Sequence, residues 1–304
     1  HLTDALEKGA QQFSWAAKRT QSGRRNGSKV IGVGVGQAYH SAGSNGFDGL
    51  VRITPDGKLH IHTGVGNLGT YSHSATSRVA AEILKYDWDN CIVERGDSRR
   101  HLPWNFGQFG SNTSFTMTRT NFVAAQDALQ KILEIAAIQI GGSPSDFEIG
   151  TEKVFLKQDP SNFLSYAEIA AAAIELGGKF SGQIAPEDIN DMTRRSVSAL
   201  AGTGLIGVAR DNLEKNATVP ALAAGFIQIE LDLETGKYEI LDYLGIADCG
   251  TVLHPRGLEI QVKSAAVMGF GMAGFERHAY DPQNGLPAFT GIHNSKLPTY
   301  LDVP

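Results

Sequence analysis

Three glycines, Gly64, Gly66 and Gly69, are followed at once by Thr70, Tyr71, Ser72, Ser74, Thr76 and Ser77, and then by a helical pattern over residues 79–84. Glycine lets a backbone pass close to a ligand, and the unpaired N–H groups of a helix start attract anions. The stretch reads as a strand, a turn and a helix N-terminus able to hold phosphate. Three readings compete: a cofactor loop, a glycine turn without a ligand, and a dinucleotide site. The last rests on the G-x-G-x-x-G spacing of Gly64, Gly66 and Gly69, with Glu94 where a ribose-binding acid would stand. That fingerprint requires an apolar, fully buried strand before it. Here residues 50–54 and 58–63 alternate around Pro55, Asp56 and Gly57, the pattern of an antiparallel hairpin with one wet face. His60 and His62 on it argue against the dinucleotide reading.

A second place for a polar ligand lies further on. Residues 98–114 are dense in aromatics, glycines and amides, among them Trp104, Asn105, Phe106, Gln108, Phe109 and Gly110. They lead through Ser111, Asn112, Thr113 and Ser114 into a long helix predicted over residues 116–140. Such a loop before a helix start suits an anion; the plainer alternative is a loop merely capped by Ser111 or Thr113. A third candidate is Gln261, a polar residue among Ile260, Val262, Ala265 and Ala266 on a helix predicted over 257–273. A buried Gln needs partners, so it is either a ligand contact or a structural bond. Gly269, Gly271 and Gly274 thin one face of that helix, which implies tight packing or cofactor approach.

The elements that must hold these groups follow from periodicity and punctuation. A helix is predicted over residues 2–18, a polar basic loop over 21–29 with Arg24 and Arg25, and a glycine-punctuated strand over 30–36. The hairpin, the glycine loop and its helix come next, then a short strand over 91–94. After the long helix, residues 147–156 form a hairpin, and Ser165 with Glu168 makes a capping box for a helix over 167–176. Residues 177–219 read as loop with one or two strands, and the polar segment 185–195 as mobile. Strands over 224–232 and 237–247, joined by the turn at Glu234, Thr235 and Gly236, precede the helix at 257–273. That strand–turn–strand–helix order repeats the order of 50–84. Two such units would build one α+β body.

The bounds agree with an ordinary globular chain. It has 304 residues, 41% hydrophobic and 19% charged, with a net charge of −5. That balance gives no support for nucleic acid or an anionic membrane surface. Cys91 and Cys249 form no metal spacing and are expected as reduced, buried thiols. His60, His62, His73, His101, His254, His278 and His293 show no metal spacing either and read as surface or packing residues. No apolar run is long enough to span a bilayer. The chain opens on His1 without Met and closes on Asp302, Val303 and Pro304, so a piece of a longer chain is expected, cut at both ends.

The segments "LDLETGKYEI", "DCGTVLHP" and "EIQVKSAAVMGFGMA" between residues 231 and 273, followed by "SKLPTYLDVP" at 295–304, resemble the later part of the molybdenum-binding subunit of the xanthine dehydrogenase/aldehyde oxidase family of molybdenum hydroxylases. Upstream, "GVGNLGTYS" and "GSNTSFTMTRTNFVAAQDAL" follow the same pattern, so the resemblance covers residues 5–304. It implies repeated strand–strand–helix units forming the second molybdenum-cofactor-binding lobe. Residues 1–220 would be its first part and 221–304 a second repeated unit. It implies that Gly66, Gly69, Thr70, Tyr71 and Ser72 contact the molybdopterin, that Ser111, Asn112, Thr113 and Ser114 hold phosphates, and that Gln261 lies near the metal. The cofactor would be a molybdenum-pterin in its cytosine dinucleotide form. Iron–sulfur clusters and FAD would sit on partner subunits, since Cys ligands for a cluster are missing here.

The implied activity is oxidation of an aldehyde or N-heteroaromatic compound with water as oxygen source and a glutamate as general base, a contribution of about 10²–10⁴-fold. Two departures stand out. The family pattern in the first loop is Gly-Gln-Gly, where this chain has Gly69, Thr70 and Tyr71. The family's glutamate follows the "KLPT" segment at a distance, so it is expected beyond Pro304. The catalytic residue therefore stays unassigned within 1–304, and a non-catalytic scaffold subunit that keeps the fold is the alternative. The expected compartment is the cytoplasm, with the periplasm as the second choice. The expected partners are the remaining part of the molybdenum subunit, a 2Fe–2S subunit and an FAD subunit.

Overall fold

The computed structural model describes residues 1–105, 107–215 and 219–304. Phe106 and residues 216–218, which fall in the two expected loops, lie outside the described residues. The chain divides into two compact units. One is Ser41–Val219; the other joins His1–His40 to Pro220–Pro304.

The chain opens with α1 (Leu2–Gln12) and α2 (Trp15–Arg19). The expected single helix is broken because Ser14 takes the left-handed conformation at φ 59. The basic loop contributes β1 (Arg25–Asn26), paired antiparallel with β2 (Lys29–Ala42). There follow β3 (Asp48–Ile53), β4 (Leu59–His62), α3 (Ser72–Ile83), β5 (Cys91–Glu94) and α4 (Thr113–Ile140). Next come β6 (Phe147–Gly150), β7 (Lys153–Leu156), β8 (Asp159–Ser165) and α5 (Tyr166–Leu176). The expected mobile stretch instead yields α6 (Asp191–Leu200), and β9 (Leu205–Arg210) follows it. The chain closes with β10 (Val219–Asp232), β11 (Tyr238–Asp248), α7 (Pro255–Gly274) and α8 (Ile292–Ser295).

In Ser41–Val219 the central sheet has the order β5-β4-β3-β9. β3 pairs antiparallel with β4 through the turn at Gly57, φ +79, and antiparallel with β9 on its other edge. β4 pairs parallel with β5. One face of this sheet, with Val51, Ile53, Leu59 and Ile61, is sealed by Ala124, Ala128 and Ile132 of α4 and by Ala80 of α3. The approach is so close that only glycine fits beneath it. A Cβ on Gly49 would stand 1.9 Å from the Thr120 carbonyl oxygen, and one on Gly207 2.5 Å from that of Ala124.

The other face was expected to be wet, but it is covered. Leu50, Ile206 and Val208 pack there with Ile189, Val197 and Leu200. Further along the same face the register brings His60, His62, Arg52 and Glu94 together. His60 Nδ1 and Glu94 Oε1 are 2.9 Å apart, and Arg100 donates to Glu94 Oε2. Burial drives the His62 imidazole down to about 4, so it stays neutral. Burial alone would push Glu94 up, but its bonds to His60 and Arg100 hold it below the usual carboxylate range.

In the other unit the sheet order is β1-β2-β10-β11. Phe13 and Trp15 pack on Phe226 of β10. Tyr243 of β11 meets Phe270 of α7 edge-on, 5.1 Å between centroids. Of the three glycines on α7, Gly271 and Gly274 pack tightly, since added Cβ atoms would meet the Glu276 carboxylate and the Tyr238 hydroxyl, whereas a Cβ on Gly269 would meet nothing within 4 Å. Both cysteines are free, but only one is shielded. Cys91 is partly buried and pushed up to about 12 by that burial, whereas Cys249 is exposed, contrary to expectation. No helix among the described residues is long and apolar enough to cross a membrane.

Candidate cofactor site

The first loop leaves the sheet at the end of β4 and reaches α3 at Ser72. Its glycines are needed where the backbone is crowded or left-handed: a Cβ on Gly64 would lie 2.6 Å from the Pro103 carbonyl, and Gly69 has φ +77. The Gly64 N–H donates to Asn105 Oδ1 at 2.6 Å, and Asn105 Nδ2 donates to the Asp48 carbonyl at 2.8 Å. The loop is thus tied to the first residue of β3. Its interior is held by His73. Arg95 Nη1 lies 2.9 Å from His73 Nδ1, and a guanidinium only donates, so Nδ1 accepts. The ring proton is therefore on Nε2, which donates to the Val65 carbonyl at 2.9 Å. The chain enters α3 through Tyr71 at φ 56, with no side-chain cap on the helix.

The second loop ends at Gly110 (φ 58) and Ser111 (φ 54), two consecutive left-handed residues before α4. Asn112 is the residue preceding that helix, yet its side chain does not cap it. Asn112 itself has helical dihedrals, φ −86 and ψ −34, not the extended ones of a capping residue, and Thr116 Oγ1 lies 2.8 Å from both its Oδ1 and the Ser44 carbonyl. The first intrahelical bond runs from the Thr116 N–H to the Asn112 carbonyl, which places the N–H groups of Thr113, Ser114 and Phe115 ahead of the ladder. Thr113 is buried, and its Oγ1 has no hydrogen-bond partner among the described residues. A buried hydroxyl without a partner is costly and needs an explanation. Arg119, two turns on, grips the fully buried Asp211 with two bonds, Nε–Oδ2 at 2.7 Å and Nη2–Oδ1 at 2.9 Å, and so fixes this end of α4.

The two loops meet. Gln108 of the second accepts the Leu68 N–H at 2.6 Å and donates to Thr70 Oγ1 at 2.7 Å and Ser72 Oγ at 3.2 Å. The structure therefore gathers Gly66, Gly69, Thr70, Tyr71 and Ser72 with Ser111, Asn112, Thr113 and Ser114 in one unit. Gln261 belongs to the other unit, where it is partly exposed on α7 rather than buried. Sequence reasoning missed Asn105, Gln108, His73 and Arg95 as organisers of the loops. Asn105 and Gln108 stood inside the amide-rich segment, but nothing in their spacing marks which amide faces which loop.

Two helix starts without side-chain caps, glycines at the loop surface and an unpartnered buried hydroxyl fit a ligand carrying phosphate. The antiparallel pairing of β3 and β4 ahead of Gly64 removes the dinucleotide reading, although α3 does carry the chain to a parallel β5. The family model for the molybdopterin cofactor-binding domain matches residues 8–304, and the chain belongs to that family. It is 27% identical over 306 residues to the 6-hydroxypseudooxynicotine dehydrogenase complex subunit gamma of Paenarthrobacter nicotinovorans, covering 100% of this chain and 35% of that protein. It is 25% identical over 305 residues to the aldehyde oxidoreductase molybdenum-binding subunit PaoC of Escherichia coli O157:H7, with 100% and 37% covered. The chain thus spans little more than a third of these relatives. Quinoline 2-oxidoreductase from Pseudomonas putida 86 shares its α+β fold, at a TM-score of 0.73 and 19% identity over 100% of this chain and 38% of that one.

Proposed function

We propose that this chain is the cofactor-holding part of the large subunit of a molybdenum hydroxylase acting on an aldehyde or an N-heteroaromatic compound. The observation that carries this reading is the Thr113 hydroxyl, buried and unpartnered at an uncapped start of a 28-residue helix. Thr113, Ser114 and the α4 N–H groups would take the phosphate oxygens of a molybdopterin in cytosine dinucleotide form. Gly66, Gly69, Thr70, Tyr71 and Ser72 would line its pterin part. The bound group would supply two-electron oxidation with water as the oxygen source. This chain binds and orients it, and its apolar sheet and α4 keep the anchoring loops rigid. The general base would be a glutamate beyond Pro304, and electrons would leave through 2Fe–2S and FAD subunits in a cytoplasmic complex.

The test is metal analysis of the native complex with release and identification of its pterin. About one molybdenum per chain with a pterin nucleotide supports the reading. Iron without molybdenum or pterin points instead to a scaffold subunit that keeps the fold.

A further inference from the structure

Gln108 spends its whole carboxamide on the glycine loop. Leu68 offers a backbone N–H, which can only donate, so the end of the amide facing it is the oxygen. The other end is then the NH₂ group. It faces two hydroxyls, Thr70 Oγ1 at 2.7 Å and Ser72 Oγ at 3.2 Å, and both must accept. An accepting hydroxyl keeps its own proton. The Ser72 proton has the Gly66 carbonyl 3.5 Å away. Thr70 Oγ1 accepts from Gln108 and donates to no group among the described residues.

We propose that Gln108 is a positioning residue of this site: it ties the glycine loop to the loop before α4 and leaves the Thr70 hydroxyl proton as a donor to an acceptor atom of the bound pterin cofactor. The inference rests on the cofactor reading above. A purely structural tie would need only the Leu68 bond. The second end of the amide instead fixes the polarity of a hydroxyl on a half-exposed residue beside Gly69, where a ligand can reach it. A donor chain from amide to hydroxyl to ligand is cooperative, because each bond polarises the next. Gln108 therefore acts on the ligand through Thr70.

The experiment uses the complete complex carrying Thr70→Val, Thr70→Ser, Gln108→Met, or Thr70→Val with Gln108→Met. Pterin and molybdenum retained per chain are followed during prolonged dialysis. Thr70→Val and Gln108→Met are each expected to speed cofactor loss about tenfold, the worth of one hydrogen bond to a polar ligand. Thr70→Ser keeps the hydroxyl and is expected to retain cofactor like the unaltered complex. The double variant is expected to be no worse than either single one, because both changes break the same chain. Retention unchanged in Thr70→Val overturns the proposal, and so do losses that multiply in the double variant. Should Gln108→Met fail to fold, the contrast between Thr70→Val and Thr70→Ser decides alone. An unaltered complex without molybdenum or pterin refutes the cofactor reading itself, a result distinct from either of these.

Discussion

Two pairs of helices in the unit Ser41–Val219 begin in opposite ways. α5 starts on Ser165, whose hydroxyl accepts the Glu168 N–H while the Glu168 carboxylate accepts the Ser165 N–H at 2.8 Å. α6 starts on Asn190, whose Oδ1 takes the Met192 N–H at 2.9 Å. α3 and α4 have no side-chain cap, although α4 is preceded by an asparagine too. The difference between Asn190 and Asn112 is not residue type but backbone: Asn190 is extended at φ −64, ψ 148, so its side chain reaches the Met192 N–H, whereas Asn112 is helical at φ −86, ψ −34. A side-chain cap takes up part of the free N–H set of a helix start, while an uncapped start leaves the whole set for other acceptors. The other unit supplies another capped case, where His254 Nδ1 accepts the Gly257 N–H and Pro255 occupies the first turn of α7.

The strongest way to break this comparison is to move α4 bodily. Gly49→Ala puts a Cβ into the Thr120 carbonyl, and a destabilisation of about 3 kcal/mol or more is expected from such overpacking, read by denaturant or thermal unfolding. The site should be lost with it. Acid acts next. His62 is held neutral down to about 4 against an ordinary value of 6.5, so the unfolded chain binds a proton first as pH falls. Stability is then full above pH 6.5 and declines toward pH 4, by about 3 kcal/mol from this one group. A His62→Leu variant should flatten that slope in unfolding curves taken at several pH values.

Thr113→Val sharpens the comparison because its two effects differ in sign. The variant should stabilise the cofactor-free protein by about 1 kcal/mol, since it removes an unpartnered hydroxyl. In the loaded complex it should speed pterin loss about tenfold. A loss of stability in the cofactor-free protein would show that Thr113 has an internal partner and belongs with the capped helices. The smallest effect is expected at a capped start. Ser165→Ala should cost about 1 kcal/mol of stability and leave pterin content unchanged.

Much of the architecture could be read from pattern alone. The β3–β4 hairpin, α3, α4, the Ser165–Glu168 box and the β10–β11–α7 run follow from alternation, helical periodicity and capping chemistry. The failures have local causes. β8 (Asp159–Ser165) is mostly exposed and shows little apolar alternation. α6 carries its apolar side on Val197 and Leu200 amid Thr193, Arg194, Arg195, Ser196 and Ser198, so its sequence reads as loop with a mobile polar part over 185–195. The second face of β3 was expected to be wet because its cover, Ile189 with Val197 and Leu200 of α6, comes from a segment far later in the chain. The loops carrying the candidate site were legible from glycines and hydroxyls, but their mutual grip was not. Gln108 and Thr70 are brought together by tertiary geometry that no short-range spacing encodes.

The position of β9 also has a consequence for how the protein is made. β3 leaves the ribosome well before β9, yet one of its two edges is filled only by Leu205–Arg210. Asp48, at the head of β3, likewise waits for the Asn190 N–H and the Thr193 hydroxyl, at 2.8 and 2.6 Å. Asn105 hangs the glycine loop on that same residue. The anchoring frame of both loops is thus incomplete until synthesis has passed Arg210. Contacts so distant in sequence fold slowly, because loop closure precedes any reward. Loading of the site belongs after translation of this unit, on a finished frame, and not on the nascent chain.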